Sequence, residues 1–421
     1  MRHEARPALH YALSVRFRPW LVALLIVAGG VSAGAQEAVG PGPGTSWFGD
    51  RVRISGEAAA SMSTTEAEAE GWFNYSDYET STVRAVRLSL VGEVTLSSRI
   101  AVLTEIRTFQ FERPEAYALY VRLRPWLRHA FDLHVGRIPP TFGAFPRRLY
   151  VTDNPLIGLP LGYQYLTSAR SDAVPASADE LARWRGRGWL TTYAIGNTTP
   201  TAGLPLANAL RWDTGVQARW QGRQVTLYGA LTQGSLSDPR LEDDNGRPQV
   251  AGRIVYTPHP VVTVGASAAR GAYLRDSLTP SLPGEARVGD YHQQALGADV
   301  EVSRDQWIVR AEVFHNEWQQ PAFGATASRD LAATASYVEG RYKLWPGFYV
   351  AGRADRLDFP RLSTTDRGVV TWDAPVRRVE LGVGWFPHRQ VLVKTVWQRH
   401  RRDGGRVRAS DLGAVQVVTW F

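Results

Sequence analysis

The chain has 421 residues, of which 44% are hydrophobic and 21% charged, with a formal net charge of +8. It has no cysteine, which excludes a disulfide framework and cysteine metal sites. Only one apolar run approaches a helical membrane span, so a bundle of membrane helices is excluded, while 15 Trp and 16 Tyr against two Met suit a membrane–water interface.

That apolar run opens the chain. Arg2, Arg6, Arg16 and Arg18 precede the stretch from Leu21 to Ala28, and Ala33-Gly34-Ala35 follows as a small-residue cleavage site. Residues 1–35 are therefore expected to be a secretory signal, with the mature chain starting at Gln36 and a retained anchor as the competing reading. Its removal takes away four Arg and one Glu, and the charge falls from +8 to +5, a mild excess that gives no case for nucleic-acid binding. Residues 36–50 are Gly/Pro-rich, carry no period, and read as a lead-in.

From Arg51 onward the period is two. Strand-length segments are expected at 51–62, 82–96, 100–111, 116–126, 131–138, 209–220, 224–234, 248–256, 261–272, 291–303, 306–318, 330–344, 347–358, 376–386, 390–400 and 408–421. The connections alternate between short (97–99, 127–130, 221–223, 257–260, 304–305, 345–346, 387–389) and long (63–81, 139–208, 235–247, 273–290, 319–329, 359–375, 401–407). The exception is 112–115, which is short where a loop is expected. Such sorting fits a transmembrane antiparallel up-and-down β-barrel of about 16 strands, spanning 51–421, and does not fit a sandwich. Trp189–Ile195 also alternates and would raise the count to 18. Trp126, Trp220, Tyr256, Trp307, Trp345, Phe348, Trp385, Phe386 and Phe421 stand at or beside short turns, as an interfacial girdle would.

Within each strand one face is apolar. Val86, Leu88, Leu90, Gly92 and Val94 oppose Arg87 and Glu93; Tyr117, Leu119 and Val121 oppose Arg122 and Arg124; Val379, Leu381, Val383 and Trp385 oppose Arg378 and Glu380. An Arg or Lys facing hydrocarbon costs about 2–4 kcal/mol at mid-membrane, so the charged face is expected to look inward. Candidate lumen charges include Arg87, Arg107, Arg122, Arg124, Arg310, Glu312, Arg353, Asp355, Arg378 and Glu380, with signs interleaved. They read either as a self-paired ladder or as an electrostatic filter, and their number argues for a water-filled rather than a packed interior.

Residues 139–208 are too long for a simple connection. They hold Arg147, Arg148, Asp153, Arg170 and Asp172 beside anchors such as Phe142, Tyr150, Leu156 and Tyr163, and Ser177 is placed to cap a short helix. No G-x-S-x-G, H-E-x-x-H or phosphate-loop motif occurs, so neither catalytic residues nor a cofactor or metal site is expected. Glu242–Gly246 is half a calcium loop without its downstream Glu.

The last strand, Val415-Gln416-Val417-Val418-Thr419-Trp420-Phe421, resembles the closing strands of Gram-negative outer-membrane barrels, which end in Phe. Val135-Gly136-Arg137-Ile138-Pro139-Pro140-Thr141-Phe142-Gly143 resembles a stretch of phosphate-selective and related porins. The resemblance implies an outer-membrane porin, exported through the periplasm. It would pass small hydrophilic solutes, with a lean toward anions set by Arg147, Arg148 and Arg170 on a third loop folded inward. The partners implied are outer-membrane lipid and lipopolysaccharide, the barrel-assembly machinery through Phe421, and a homotrimer; nucleic acid is not among them. A barrel hydrolase, or a closed structural or adhesive barrel, are the other readings.

Overall fold

The computed structural model describes residues 44–63, 85–109, 113–322, 329–405 and 408–421. The expected signal at 1–35 and most of the first long loop lie outside them.

Sixteen strands close one barrel. They are β1 (Val52–Ser63), β2 (Ala85–Ser97), β3 (Ile100–Phe109), β4 (Glu115–Leu123), β5 (Phe131–Ile138), β6 (Asp213–Gln221), β7 (Val225–Thr232) and β8 (Gln249–His259). Then follow β9 (Val262–Ala272), β10 (His292–Arg304), β11 (Trp307–Gln320), β12 (Arg329–Trp345), β13 (Phe348–Asp358), β14 (Val376–His388), β15 (Val391–Arg402) and β16 (Ala409–Trp420). Each pairs antiparallel with its chain neighbours, and β1 pairs with β16 from Glu57↔Trp420 to Ser63↔Ala414. Closure leaves no strand edge unpaired, the condition for spanning a bilayer with strands. Phe421 completes the seam: its N–H donates to Gly56 O at 3.1 Å, and its ring lies where a Cβ on Gly56 would sit, 2.8 Å from Cε1.

Short turns lie at one end and long loops at the other, as the connection lengths predict. The alternate apolar positions point outward: Leu90, Leu119, Leu227, Leu231, Leu296, Val313, Val338, Leu381, Val415 and Val417 are all exposed. Trp126, Trp220, Trp307, Trp345 and Trp385 are exposed beside the turns. Monomeric soluble proteins rarely expose a contiguous apolar belt, which marks a membrane or protein contact. The outward apolar face and closed ring make the chain a membrane-spanning barrel.

Three expectations fail locally. Tyr117 does not face outward with Leu119. The β3–β4 ladder runs Glu105↔Ala118 and then Ile106↔Ala116, so Tyr117 sits in a bulge and turns inward. There its hydroxyl donates to Ala209 O at 3.0 Å, and the Arg107 guanidinium lies 3.6 Å above its ring. A one-residue bulge reverses the face of one residue, and a period-two reading cannot see it. Trp189–Ile195 is not a barrel strand. Thr191 makes an isolated bridge to Thr201, and Ile195–Gly196 pairs with Ala173–Val174 in a separate two-stranded ribbon. The third loop is also longer than expected, because β6 starts at Asp213, so the loop runs 139–212.

Candidate functional site: the lumen-crossing loop and its charged cradle

The third loop does not hang outside the barrel. It enters at Pro139 and Pro140, and Phe142 meets Phe314 of β11 edge-on at 5.6 Å. Gly143 N–H donates to Ser267 of β9 (3.1 Å), and Ala144 N–H donates to Glu312 of β11 (2.9 Å). A 3-10 turn at Phe145–Arg148 then throws its two arginines to different walls. The Arg147 guanidinium lies 3.8 Å over the ring of Tyr228 on β7. Arg148 donates to Tyr337 of β12 at 3.0 Å. The far wall comes next: Tyr150 OH donates to Glu105 of β3 (3.0 Å), and the N–H groups of Val151 and Thr152 reach Glu57 of β1 (3.1 and 3.4 Å). The chain therefore crosses the lumen between Arg147 and Val151.

From there it follows the β13–β15 wall, where its peptide groups pair with charged side chains. Lys394 Nζ donates to the carbonyls of Val151 (2.8 Å), Asn154 (3.0 Å) and Leu156 (3.0 Å). Glu380 accepts from Ile157 N–H (3.1 Å) and Gly158 N–H (3.0 Å), and Arg353 donates to Gly158 O (2.6 Å). Asp355 accepts from Leu161 N–H (3.1 Å), and Arg378 donates to Leu159 O and to Gln164 Oε1 (3.1 Å). Tyr163 OH returns to Glu312 at 2.6 Å.

The reason is simple. A segment with little regular structure, taken inside a barrel, carries peptide groups that must find partners away from water. Carboxylates on the wall accept its N–H groups; ammonium and guanidinium groups donate to its carbonyls. The interleaved signs also neutralise one another. Arg353, whose side chain is 0% exposed, contacts Glu339 (3.2 Å), Asp355 (3.2 Å) and Glu380 (2.7 Å), and Arg378 meets Asp355 at 3.0 Å. Gly382 of β14 lets the loop come close; a Cβ there would stand 2.8 Å from Leu156 Cδ2.

The expectation of a water-filled interior is corrected here. At mid-depth the inward charges face loop peptide, and Arg107, Glu312, Arg353, Asp355, Arg378 and Glu380 are all buried. Toward the loop end of the barrel the filling becomes apolar. Tyr165, Leu204 and Leu206 of the third loop join Tyr273, Leu278, Phe359 and Trp372 of other loops, and Trp318, Leu331 and Leu357 of the wall, in one buried cluster. The helix α1 (Leu161–Gln164) is wholly buried, and α2 (Ala178–Arg183) is capped by Ser177 as expected, its Oγ accepting from Glu180 N–H at 3.1 Å. Asp373 ties the cap together, accepting from the N–H groups of Ser168 and Gly186. Burial pushes its carboxyl above the ordinary range. For Asp238, in the loop after β7, burial acts in the same direction, but Arg275 and Arg240 outweigh it and hold the carboxyl below its ordinary range.

Toward the turn end the interior is open to water and basic. Arg147 and Asp153 are exposed. Arg122, Arg124, Arg148, Arg219 and Arg310 keep 14%, 23%, 16%, 15% and 13% of their side chains exposed. Glu93 partners Arg122 (3.0 Å), Asp132 partners Arg124 (2.7 Å) and lies 3.9 Å from Arg219, Glu301 partners Arg310 (2.7 Å), and Glu339 lies 3.4 Å from Arg310 and 3.6 Å from Arg148, so four carboxylates serve five arginines and Arg147 adds to the basic surplus. Arg147 contacts the Tyr228 hydroxyl and ring, both uncharged.

Of the residues singled out in the sequence, the mouth gathers Arg122, Arg124, Arg147, Arg148, Asp153 and Arg310. The cradle gathers Arg107, Glu312, Arg353, Asp355, Arg378 and Glu380. Arg87 is half-buried on β2, opposite Ala59. Arg170 and Asp172 belong to neither. Arg170 is 1% exposed and bonds to Asp172 (2.9 Å), Thr191 O (2.7 Å) and Thr199 O (3.0 Å) inside the cap. Glu57 was not singled out, although it is the lone charge in the middle of its strand, and that isolation is the signal that would have found it.

A closed ring of antiparallel strands, apolar outside and charged within, with one long loop folded into its bore, defines a transmembrane channel fold. The sequence matches no family model and no curated protein. Among solved structures the chain is similar to OmpT, an outer-membrane protein of Vibrio cholerae, in its trimer form, at 9% identity over 88% of this chain and 99% of that one, with a TM-score of 0.50. It is also similar to the outer-membrane channel DcaP of Acinetobacter baumannii, at 11% identity over 90% of this chain and 99% of that one, with a TM-score of 0.50. At these identities the likeness is one of fold: the chain has the 16-strand barrel of the outer-membrane porins.

Proposed function

We propose that the protein is a bacterial outer-membrane channel for small hydrophilic solutes, with a preference for anions set at its basic mouth. The observation that carries this reading is the surplus of water-facing arginines inside the turn end of the bore, with Arg147 and Arg148 on the crossing segment. The short turns of such a barrel face the periplasm, so the mouth is periplasmic. Insertion through the barrel-assembly machinery by the strand ending in Phe421, lipopolysaccharide as a neighbour, and assembly as a homotrimer, as the trimer form of OmpT suggests, belong to the same reading. The filled bore predicts a low conductance.

The packed cluster under the cap favours a second reading, a closed structural barrel. A hydrolase is disfavoured by the position of His315. It contacts Glu317 (3.1 Å) and Thr334 (2.8 Å), but all three sit on the outer face of β11 and β12.

Single-channel recording in a planar bilayer under a salt gradient tests the proposal. A unit charge about 8 Å from an ion path in a water-like medium changes an ion's energy by about 0.5 kcal/mol. Replacing Arg147 and Arg148 together by Ser is therefore expected to lower the anion-to-cation permeability ratio severalfold. An unchanged reversal potential would refute the anion preference, and a silent wild-type protein would favour the closed barrel.

A further inference from the structure

The outer surface carries one charge arrangement that the channel does not use. Arg356 of β13 pairs directly across the ladder with Arg377 of β14, and Arg377 pairs with Arg401 of β15. All three are exposed on the outward face, in one row over three adjacent strands. Opposed residues of an antiparallel pair have Cβ atoms about 4.5–5.5 Å apart, and like charges there repel. The inner face of the same rungs does the opposite, with Asp355 across from Arg378. Asp358 answers Arg356, and Asp411 stands 4.0 Å from Arg399, below Arg401 on the same face of β15. Arg377 and Arg401 have no ion pair among the described residues.

The height of the row is informative. Below Arg377, the outward residues of β14 are Val379, Leu381, Val383 and the girdle residue Trp385, all exposed. The rise from Arg377 to Trp385, at about 3.4 Å per residue and a tilt near 40°, is about 21 Å, close to the height of a barrel's apolar band. The arginines therefore stand at the opposite bilayer surface, directly above an acyl-facing wall that includes the exposed ring of Trp397.

We propose that the Arg356–Arg377–Arg401 row binds the phosphorylated headgroup of a lipid in the outer leaflet, with the acyl chains lying over Val379, Leu381 and Trp397. The inference rests on the membrane-channel reading above. Guanidinium groups match phosphate oxygens in fork geometry, and one multiply charged headgroup relieves the repulsion of all three. The apolar wall beneath selects a lipid over free phosphate.

The test is native mass spectrometry of the folded barrel in a neutral detergent with added diphosphoryl lipid A, phosphatidylethanolamine or inorganic phosphate. Wild type is expected to retain diphosphoryl lipid A in preference to phosphatidylethanolamine, with no displacement by an equal concentration of inorganic phosphate. Arg377→Gln combined with Arg401→Gln is expected to lower retention by about tenfold or more, the loss of at least one charge-assisted contact. Arg377→Gln alone should give a smaller loss in the same direction. Arg270→Gln, at an exposed arginine of β9 outside the row, should retain lipid as wild type does. Equal retention by the row variants, equal retention of phosphatidylethanolamine, or displacement by inorganic phosphate overturns the proposal. Conductance of the same wild-type preparation reports the channel reading separately, so the two can fail independently.

Discussion

Excising residues 142–207 and joining Thr141 to Asn208 through a short glycine linker is expected to raise single-channel conductance severalfold and to admit larger solutes. Thr141 and Asn208 line one small cavity together, so the two ends can be rejoined without moving β5 or β6. A 16-strand barrel leaves an aqueous bore when nothing fills it, and the excision removes the segment that crosses the bore at mid-depth and most of the cap, leaving the residues of the other loops at the loop end. The wall would tolerate the loss, because Glu57, Glu312, Arg353, Glu380 and Lys394 would exchange peptide partners for water rather than for a vacuum. Conductance steps in a planar bilayer, with swelling of proteoliposomes in graded sugars, measure the effect. Unchanged conductance would mean that the third loop does not set the aperture.

Arg353→Met is expected to destabilise the folded barrel by about 3–5 kcal/mol, the range for leaving buried partners of a broken ion pair uncompensated. Arg353 is fully buried and touches three carboxylates and the Gly158 carbonyl, so its removal takes the salt bridge from buried Glu380 and one cation each from Asp355, which keeps Arg378, and Glu339, which keeps Arg148 and Arg310. The same change at Arg304 should cost about 0–1 kcal/mol, because its partner Asp305 keeps 73% of its side chain exposed and water can take over. Urea titration of the folded form, read by gel mobility without heating, separates the two. Combining Arg353→Met with Glu380→Gln should recover part of the loss, since one stranded carboxylate is gone. Comparable destabilisation by Arg304→Met and Arg353→Met would show that burial does not govern these pairs.

The wall of the barrel was legible in the sequence because the outward face repeats with period two over every strand, and because turns and loops differ in length. Strand boundaries such as Phe131–Ile138 and Val376 as the start of β14 follow from that local pattern. What the pattern could not carry is any contact between parts of the chain far apart in sequence. Lys394 and Leu156 meet across 238 positions, and Arg353 and Gly158 across 195. Nothing in either neighbourhood distinguishes a cation that binds a solute from one that binds a carbonyl. Arg170 shows the consequence. On its loop it looks like Arg147, yet its guanidinium is consumed by Asp172 and two backbone carbonyls, whereas Arg147 ends in water. Tyr117 shows the other limit, a single extra residue that local alternation averages away.

The central claim is that the third loop lies inside the bore against β14. Leu156→Cys with Gly382→Cys tests it most directly, in a chain that has no other cysteine to confuse the result. The side chain of Leu156 reaches to within 2.8 Å of where a Cβ on Gly382 would stand. Thiol oxidation, or a short bis-maleimide, should join the two positions in the folded barrel and produce a faster band on a non-reducing gel that thiol reduction abolishes. Failure to join them in a barrel that is otherwise folded, with both thiols freely labelled by a water-soluble maleimide, would place the loop elsewhere and contradict the account.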